Sequence, residues 1–464
     1  MTAPRQRWIA AALLLNVWST PGAFTQNVSV ASSETRQHIY QVLNGLVRPS
    51  DRAEGLIQKH SLTDRMAALH VPGVSIAVIH HGSIDWAQGF GVVSLGGPQV
   101  TVNTLFQAGS ISKPLAAMAV LRLAEEGNLS LDVDVNTQLT SWKLPEASVA
   151  EGKPVTLREL LCHTGGTTVH GFPGYEAGVP VPTLIQVLDG VPPANSPAIR
   201  IEAAPESRWK YSGGGYVIMQ QIVLDKAKLP FPALLHDTVL ARIGMVHSTY
   251  QQPLPAYLRS SAAIPYDGNG VPVTGGAHTY PELAAAGLWT TPSDLARYII
   301  EVQTSLQGKS NHVLSVDMTR QMLIPCKVNM DAVDAEVARQ MDQTRKNMNL
   351  DSIETLKKKM DSDEAMVKMM GGSDAYERLQ ASLKTSLLAK SNWGLGLQLG
   401  GSVENPTFLH GGSNVGYESL MASYERAGEG AVVMTNGQGG AELVREVMQS
   451  IVTAYGWPDF QDNY

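Results

Sequence analysis

The chain has 464 residues, 44% of them hydrophobic and 17% charged, with a formal net charge of −7. This composition excludes a disordered chain and a stapled mini-protein, and it predicts two or three structural units of ordinary size. A mildly acidic balance lacks the positive field that phosphate neutralisation needs, so no nucleic-acid partner is expected.

In chain order, Arg5 and Arg7 precede an apolar run from Trp8 to Trp18, and Pro21, Gly22 and Ala23 follow as a small-residue zone. Residues 1–23 therefore read as a secretory signal peptide, too short to span a bilayer, and a periplasmic or secreted location with no stable transmembrane anchor is expected. The alternative is a buried N-terminal helix or an uncleaved anchor. Only two cysteines are present, Cys162 and Cys326. That count excludes a disulfide framework, a CxxC pair and a thiolate zinc site; the expectation is an exported enzyme without disulfides, with Cys162 a small buried hydrophobe.

Val74 to Ile79, the His81-Gly82 turn and Ile84 to Val93 predict a β-hairpin. From Ser110 to Glu126 apolar residues fall on more than one helix face, so that helix should be buried between layers, ending at Gly127-Asn128. Gly165 to Arg200 reads as ordered loop around a smaller helical region, Tyr216 to Leu229 as helix, and Thr291-Pro292-Ser293-Asp294 as a capped helix start.

Residues 326–390 hold 11 basic and 11 acidic side chains and no proline, with apolar residues at helical spacing, for example Val333, Val337 and Met341. This segment predicts a charged helical insertion broken at Gly371-Gly372. Its seven methionines leave two readings, a face for a protein partner or a helical hairpin lying on its host, and balanced charge favours the second. Trp393 to Leu399, Gly416 to Tyr424 and Ala431 to Thr435 read as strands, and Ala441 to Tyr455 as a closing amphipathic helix. The expected fold class is α+β, an antiparallel sheet assembled from N- and C-terminal segments and flanked by helices, with an all-helical subdomain. The catalytic unit would comprise 24–325 with 391–464.

No GxGxxG, Walker loop, HExxH or GxSxG occurs, so no nucleotide or metal cofactor has a sequence anchor. What remains is Ser110-Ile111-Ser112-Lys113 at the head of the buried helix. Spacing of three residues puts hydroxyl and amine on one face, where the amine can take the hydroxyl proton if desolvation lowers its pKa. Ser207-Arg208-Trp209-Lys210 repeats the spacing but reads as loop, with no catalytic role. Tyr211-Ser212-Gly213 follows about a hundred residues downstream of Ser110, and His410-Gly411-Gly412 precedes a strand. Taken alone, Tyr211 could be a core tyrosine and His410 a histidine bonded to backbone. His163 reads as a helix-end residue near free carbonyls, and His80 and His81 as turn residues with no ligand partners.

With these motifs and the runs LLCHTGGT, YSGGGY and GLWTTPSDLARY, the chain resembles the serine penicillin-recognising hydrolases over Val71 to Pro325 and Trp393 to Val452. That group holds class C β-lactamases, DD-peptidases, D-aminopeptidases and related carboxylesterases. The resemblance implies Ser110 as acylated nucleophile, Lys113 as its proton acceptor, Tyr211 as proton shuttle and His410 in the third motif. It also implies an oxyanion hole from the backbone N–H groups of Ser110 and Ser413, with Gly213, Gly411 and Gly412 beside a small-molecule or peptide substrate. Two departures stand out: Gly213 replaces the usual Asn, and His410 the Lys common in β-lactamases. A peptide or amide substrate is expected, with a carboxylesterase as alternative; a penicillin-binding sensor or scaffold that barely turns over is a reading of another class.

Overall fold

The computed structural model describes residues 31–460, apart from Glu54, Ser148, Val149, Glu151, Lys390 and Ser391. The expected signal segment lies outside the described residues. Eight strands are present among them: β1 (Gly73–His80), β2 (Ser83–Gly91), β3 (Phe106–Gln107), β4 (Trp289–Thr290), β5 (Gln398–Gly401), β6 (Pro406–Asn414), β7 (Tyr417–Tyr424) and β8 (Gly430–Thr435). Six form an antiparallel sheet in the order β2-β1-β8-β7-β6-β5, so the N-terminal hairpin joins the C-terminal strands as the α+β expectation required.

Alternation along the strands explains the layers. Val74, Ile76 and Val78 face one side and pack with Leu443, Val447 and Ile451 of the helix Gly440–Tyr455, whose apolar residues recur every fourth position. Ala77 and Ile79 face the other side, against Ile299 and Val302 of the helix Pro292–Leu306 and the large core around the helix Ser112–Glu125. That last helix is buried from Ser112 to Leu121, as an all-round apolar pattern demands.

Three expectations need correction. The strand expected over Trp393 to Leu399 begins only at Gln398, because Gly394 and Gly396 first fold the chain tightly: a Cβ at Gly394 would meet Met322 O at 2.3 Å, and Gly396 has φ +96° beside Ala117. His410-Gly411-Gly412 does not precede a strand but lies within β6. The expected absence of disulfides is also overturned: Cys162 and Cys326 are bonded, their Cα atoms 6.2 Å apart. Their 164-residue separation in sequence concealed a contact made when the chain folds the start of the charged segment back onto the helix Leu157–Cys162.

That charged segment forms four helices, Met330–Asn347, Ile353–Ser362, Glu364–Met370 and Ala375–Ala389, rather than a simple hairpin. Asn329, Ser352 and Asp363 cap the first three, and Gly371 with φ +78° ends the third at the expected break. Val337, Met341, Leu356, Met360 and Tyr376 make a small core of their own. Arg208 reaches across to Glu336 in the first of these helices at 3.1 Å.

Candidate active site

Ser110 sits in a 3-10 turn, Gly109–Ile111, that runs directly into the helix Ser112–Glu125. The turn is tightly held: Ser112 Oγ donates to Gly109 O and accepts from Leu288 N–H, while Tyr250 OH donates to Ser112 O. One turn on, Lys113 Nζ lies 2.9 Å from Ser110 Oγ and donates to Ala285 O at 2.7 Å. Lys113 is buried and has no carboxylate partner among the described residues. Burial therefore penalises its charged form and brings its pKa down to about 7.

β6 supplies the facing wall. Its pairing with β5 stops at Leu409, so the edge from His410 to Asn414 is left to face the Ser110 turn. Close approach here needs glycine: a Cβ at Gly412 would stand 1.9 Å from Ala108 O, and one at Gly109, where φ is +51°, 2.6 Å from Ser413 N. Ser413 directs its hydroxyl to Glu418 at 2.8 Å. Asn414 Nδ2 donates to Gln107 Oε1 and Ala286 O, tying the strand end to β3.

Tyr211 stands on the third side, with the centre of its ring 5.0 Å from Lys113 Nζ. It ends a loop, and Ser212 then caps the helix Gly213–Ala227 by accepting from Gly215 N–H. His163 holds this loop in place. It is the left-handed cap of the helix Leu157–Cys162, its Nδ1 accepts the Ser212 N–H at 3.1 Å, and its ring stacks on Tyr211 at 4.2 Å. The expected bonding to helix carbonyls is thus replaced by a grip on the neighbouring loop. Burial, then Lys113, pushes the His163 pKa well down, which keeps Nδ1 free of a proton and able to accept.

His410 is buried, and its Nδ1 donates to Gly411 O at 2.6 Å. Burial first, then the nearby Lys113, lowers its pKa to about 3, so the ring is neutral and its Nε2 is an acceptor.

These groups border one cavity of about 460 Å³, lined by Ser110, Lys113, Tyr211, His410, Gly411 and Ser413 among others. Gly412 packs behind the wall instead, and Gly213 packs against His170 O and Phe172; neither lines the cavity. The sequence reading missed most of the wall itself: Phe172, Trp209, Trp393, His170, Gln398 and Asn414. Trp209 lay inside the Ser207–Lys210 repeat, two residues before Tyr211, and that proximity was the available signal. Among the described lining residues Lys113 is the one lysine or arginine, and none is acidic.

A family model described as Beta-lactamase matches residues 59–452. The chain belongs to the Beta-lactamase family. Protein flp of Staphylococcus aureus strain MW2 is 25% identical over 235 residues, covering 48% of this chain and 42% of that protein. Penicillin-binding protein 4 of Amycolatopsis lactamdurans is 29% identical over 180 residues, 39% of this chain and 45% of that one. The chain thus spans less than half the length of these curated relatives. Among solved structures, the octameric penicillin-binding protein homologue from Pyrococcus abyssi superposes with a TM-score of 0.60 at 22% identity, over 85% of this chain and 76% of that one. At that identity the likeness speaks to the fold, which is that of the Beta-lactamase family. No helix among the described residues is long and apolar enough to cross a membrane.

Proposed function

We propose that this chain is a serine acyl hydrolase that forms an acyl-enzyme on Ser110, and that its substrates are uncharged esters or amides. The observation that carries the reading is the 2.9 Å approach of a desolvated Lys113 amine to the Ser110 hydroxyl at a cavity wall. Ser110 Oγ attacks the substrate carbonyl carbon and its proton passes to the neutral Lys113 amine. The carbonyl oxygen, now negative, is received by the backbone N–H groups of Ser110 and Ser413; the close approach of Gly109 to Ser413 supports that pairing. On collapse the carbonyl carbon loses its bond to the leaving alcohol or amine, which takes the proton from Lys113 with Tyr211 alongside. Water then adds to the ester carbonyl as its proton passes to the free Lys113 amine; on collapse the carbon–Oγ bond breaks, the acid leaves, and Ser110 Oγ takes that proton back from Lys113. His410, neutral and accepting at Nε2, contributes a dipole to this wall, not a charge.

The cavity favours esterase chemistry over carboxypeptidase chemistry. A substrate carboxylate buried in it would need a cation, and the described lining supplies only Lys113, which works as the base in its uncharged form. Phe172, Trp209, Tyr211 and Trp393 instead suit an apolar or aromatic acyl group. The names of the relatives keep penicillin in view as an acylating agent.

Intact-mass measurement after exposure to a fluorophosphonate, and separately to a penicillin, tests this on wild type and Ser110→Ala. One fluorophosphonate adduct on wild type and none on the variant is expected, with repeated turnover of a p-nitrophenyl ester and no penicillin adduct; penicillin labelling would favour the peptidase branch. A label that survives Ser110→Ala overturns the site, and a stoichiometric burst without turnover supports the sensor reading instead.

A further inference from the structure

The sheet register brings two consecutive histidines and a carboxylate together at the end of the molecule away from Ser110. Ile79 pairs with Gly430, which sets His80, the last residue of β1, beside Glu429 in the turn between β7 and β8. The two turns are joined directly, since Gly82 N–H donates to Gly428 O at 2.8 Å. His80 Nδ1 lies 2.8 and 3.0 Å from the two Glu429 oxygens. His81 adopts a left-handed backbone, φ +51°, which folds its ring onto that of His80 with centroids 3.7 Å apart. One ring nitrogen from each histidine and one Glu429 oxygen all fall within 4.8 Å of one another. A third imidazole adjoins them: the His38 ring is 6.1 Å from that of His80, and its Nδ1 is buried without a hydrogen-bond partner.

We infer that His80, His81 and Glu429 form a binding site for a borderline divalent cation such as Zn²⁺, with His38 or water completing the shell. The donor set decides the class of ion: neutral imidazole and carboxylate suit Zn²⁺ and its neighbours, whereas Mg²⁺ and Ca²⁺ prefer oxygen ligands alone. The spread of the donors fits too. Tetrahedral ligands at ~2.0–2.1 Å from the ion stand about 3.3 Å apart, a closure that turning the exposed His81 side chain supplies. Without the ion, His80 Nδ1–H donates to Glu429 and holds the same space; on binding, the ring proton passes to Nε2 and Nδ1 takes the cation.

Binding would clip the β1–β2 turn to the β7–β8 turn. It would not touch the acyl chemistry: Ser413 shares a row with Thr435 and Val74, and from Val74 to His80 the strand runs roughly 20 Å at about 3.3 Å per residue. The site therefore stands whether or not the proposed hydrolase activity does.

The test uses untagged full-length protein, stripped with chelator and titrated with ZnCl₂ by calorimetry, with MgCl₂ as control. One saturable Zn²⁺ site is expected, weakened at least about tenfold by His81→Ala and by Glu429→Gln, each checked for fold by circular dichroism. On wild type alone, Co²⁺ should give visible absorption bands that Zn²⁺ bleaches at one equivalent. Unchanged Zn²⁺ affinity in both His81→Ala and Glu429→Gln, or no saturable binding and no Co²⁺ bands on wild type, overturns the assignment.

Discussion

At the scale of single residues, Lys113 carries the most consequence, because its function and its cost to stability have one cause. The buried amine loses its proton near pH 7 in the folded chain and at 10.5 in ordinary surroundings. Activity that needs the free amine should thus fall on the acid side with an apparent pKa of about 7, read from kcat/KM against pH. Stability follows the opposite partner: between pH 7 and 10.5 the unfolded chain binds the extra proton, so this group's contribution improves as pH rises, and below 7 its full penalty stands. Lys113→Met should accordingly abolish turnover while stabilising the fold at neutral pH, by about 1–4 kcal/mol, as buried charges replaced by packed apolar groups do. Calorimetric melting of the two proteins checks it; a variant less stable than wild type at pH 6 would contradict the cause given for the shift. His410, pushed down to about 3, should add no limb between pH 5 and 9.

Among the elements, the helix Leu157–Cys162 and the segment around Trp393 share responsibility for the cavity wall, and the disulfide ties them. Cys162 adjoins His163, which holds the Tyr211 loop, while Cys326 N–H donates to the carbonyl of Trp393, whose ring stands edge-on to those of Tyr211 and His410. Cys326→Ser should cost about 2–4 kcal/mol, the usual worth of such a link, seen as a lower urea midpoint that reductant no longer changes. Turnover should fall with it, since the bond restrains the two pieces that position Tyr211. Unchanged turnover in a still-folded variant would show that packing alone suffices.

For the whole molecule, burial of carboxyls sets an acid-side trend. Glu159, Glu282 and Glu418 are each raised to about 7, in every case by burial first. Between about 4.5 and 7 the folded chain keeps protons that the unfolded chain has released, so these groups make stability decline as pH rises through that window. Urea unfolding at pH 5 and pH 7.5 measures the trend. Replacing all three by Gln should flatten it, and an unaltered slope would mean that other groups control it.

How far the sequence reached follows from the range of the interactions involved. The hairpin turn, the buried helix after Ser110, the cap at Thr291 and the three-residue spacing of Ser110 and Lys113 were all legible, because each depends on neighbours within a turn or a strand. The motifs carried the family and the four groups around the cavity, though not which glycines line it. Tertiary structure alone decided the Cys162–Cys326 link, the grip of His163 on Ser212, the aromatic wall and the meeting of His80 with Glu429. Those contacts join residues tens to hundreds of positions apart, and local periodicity holds no information about such pairs until sheet register and layer packing bring them together.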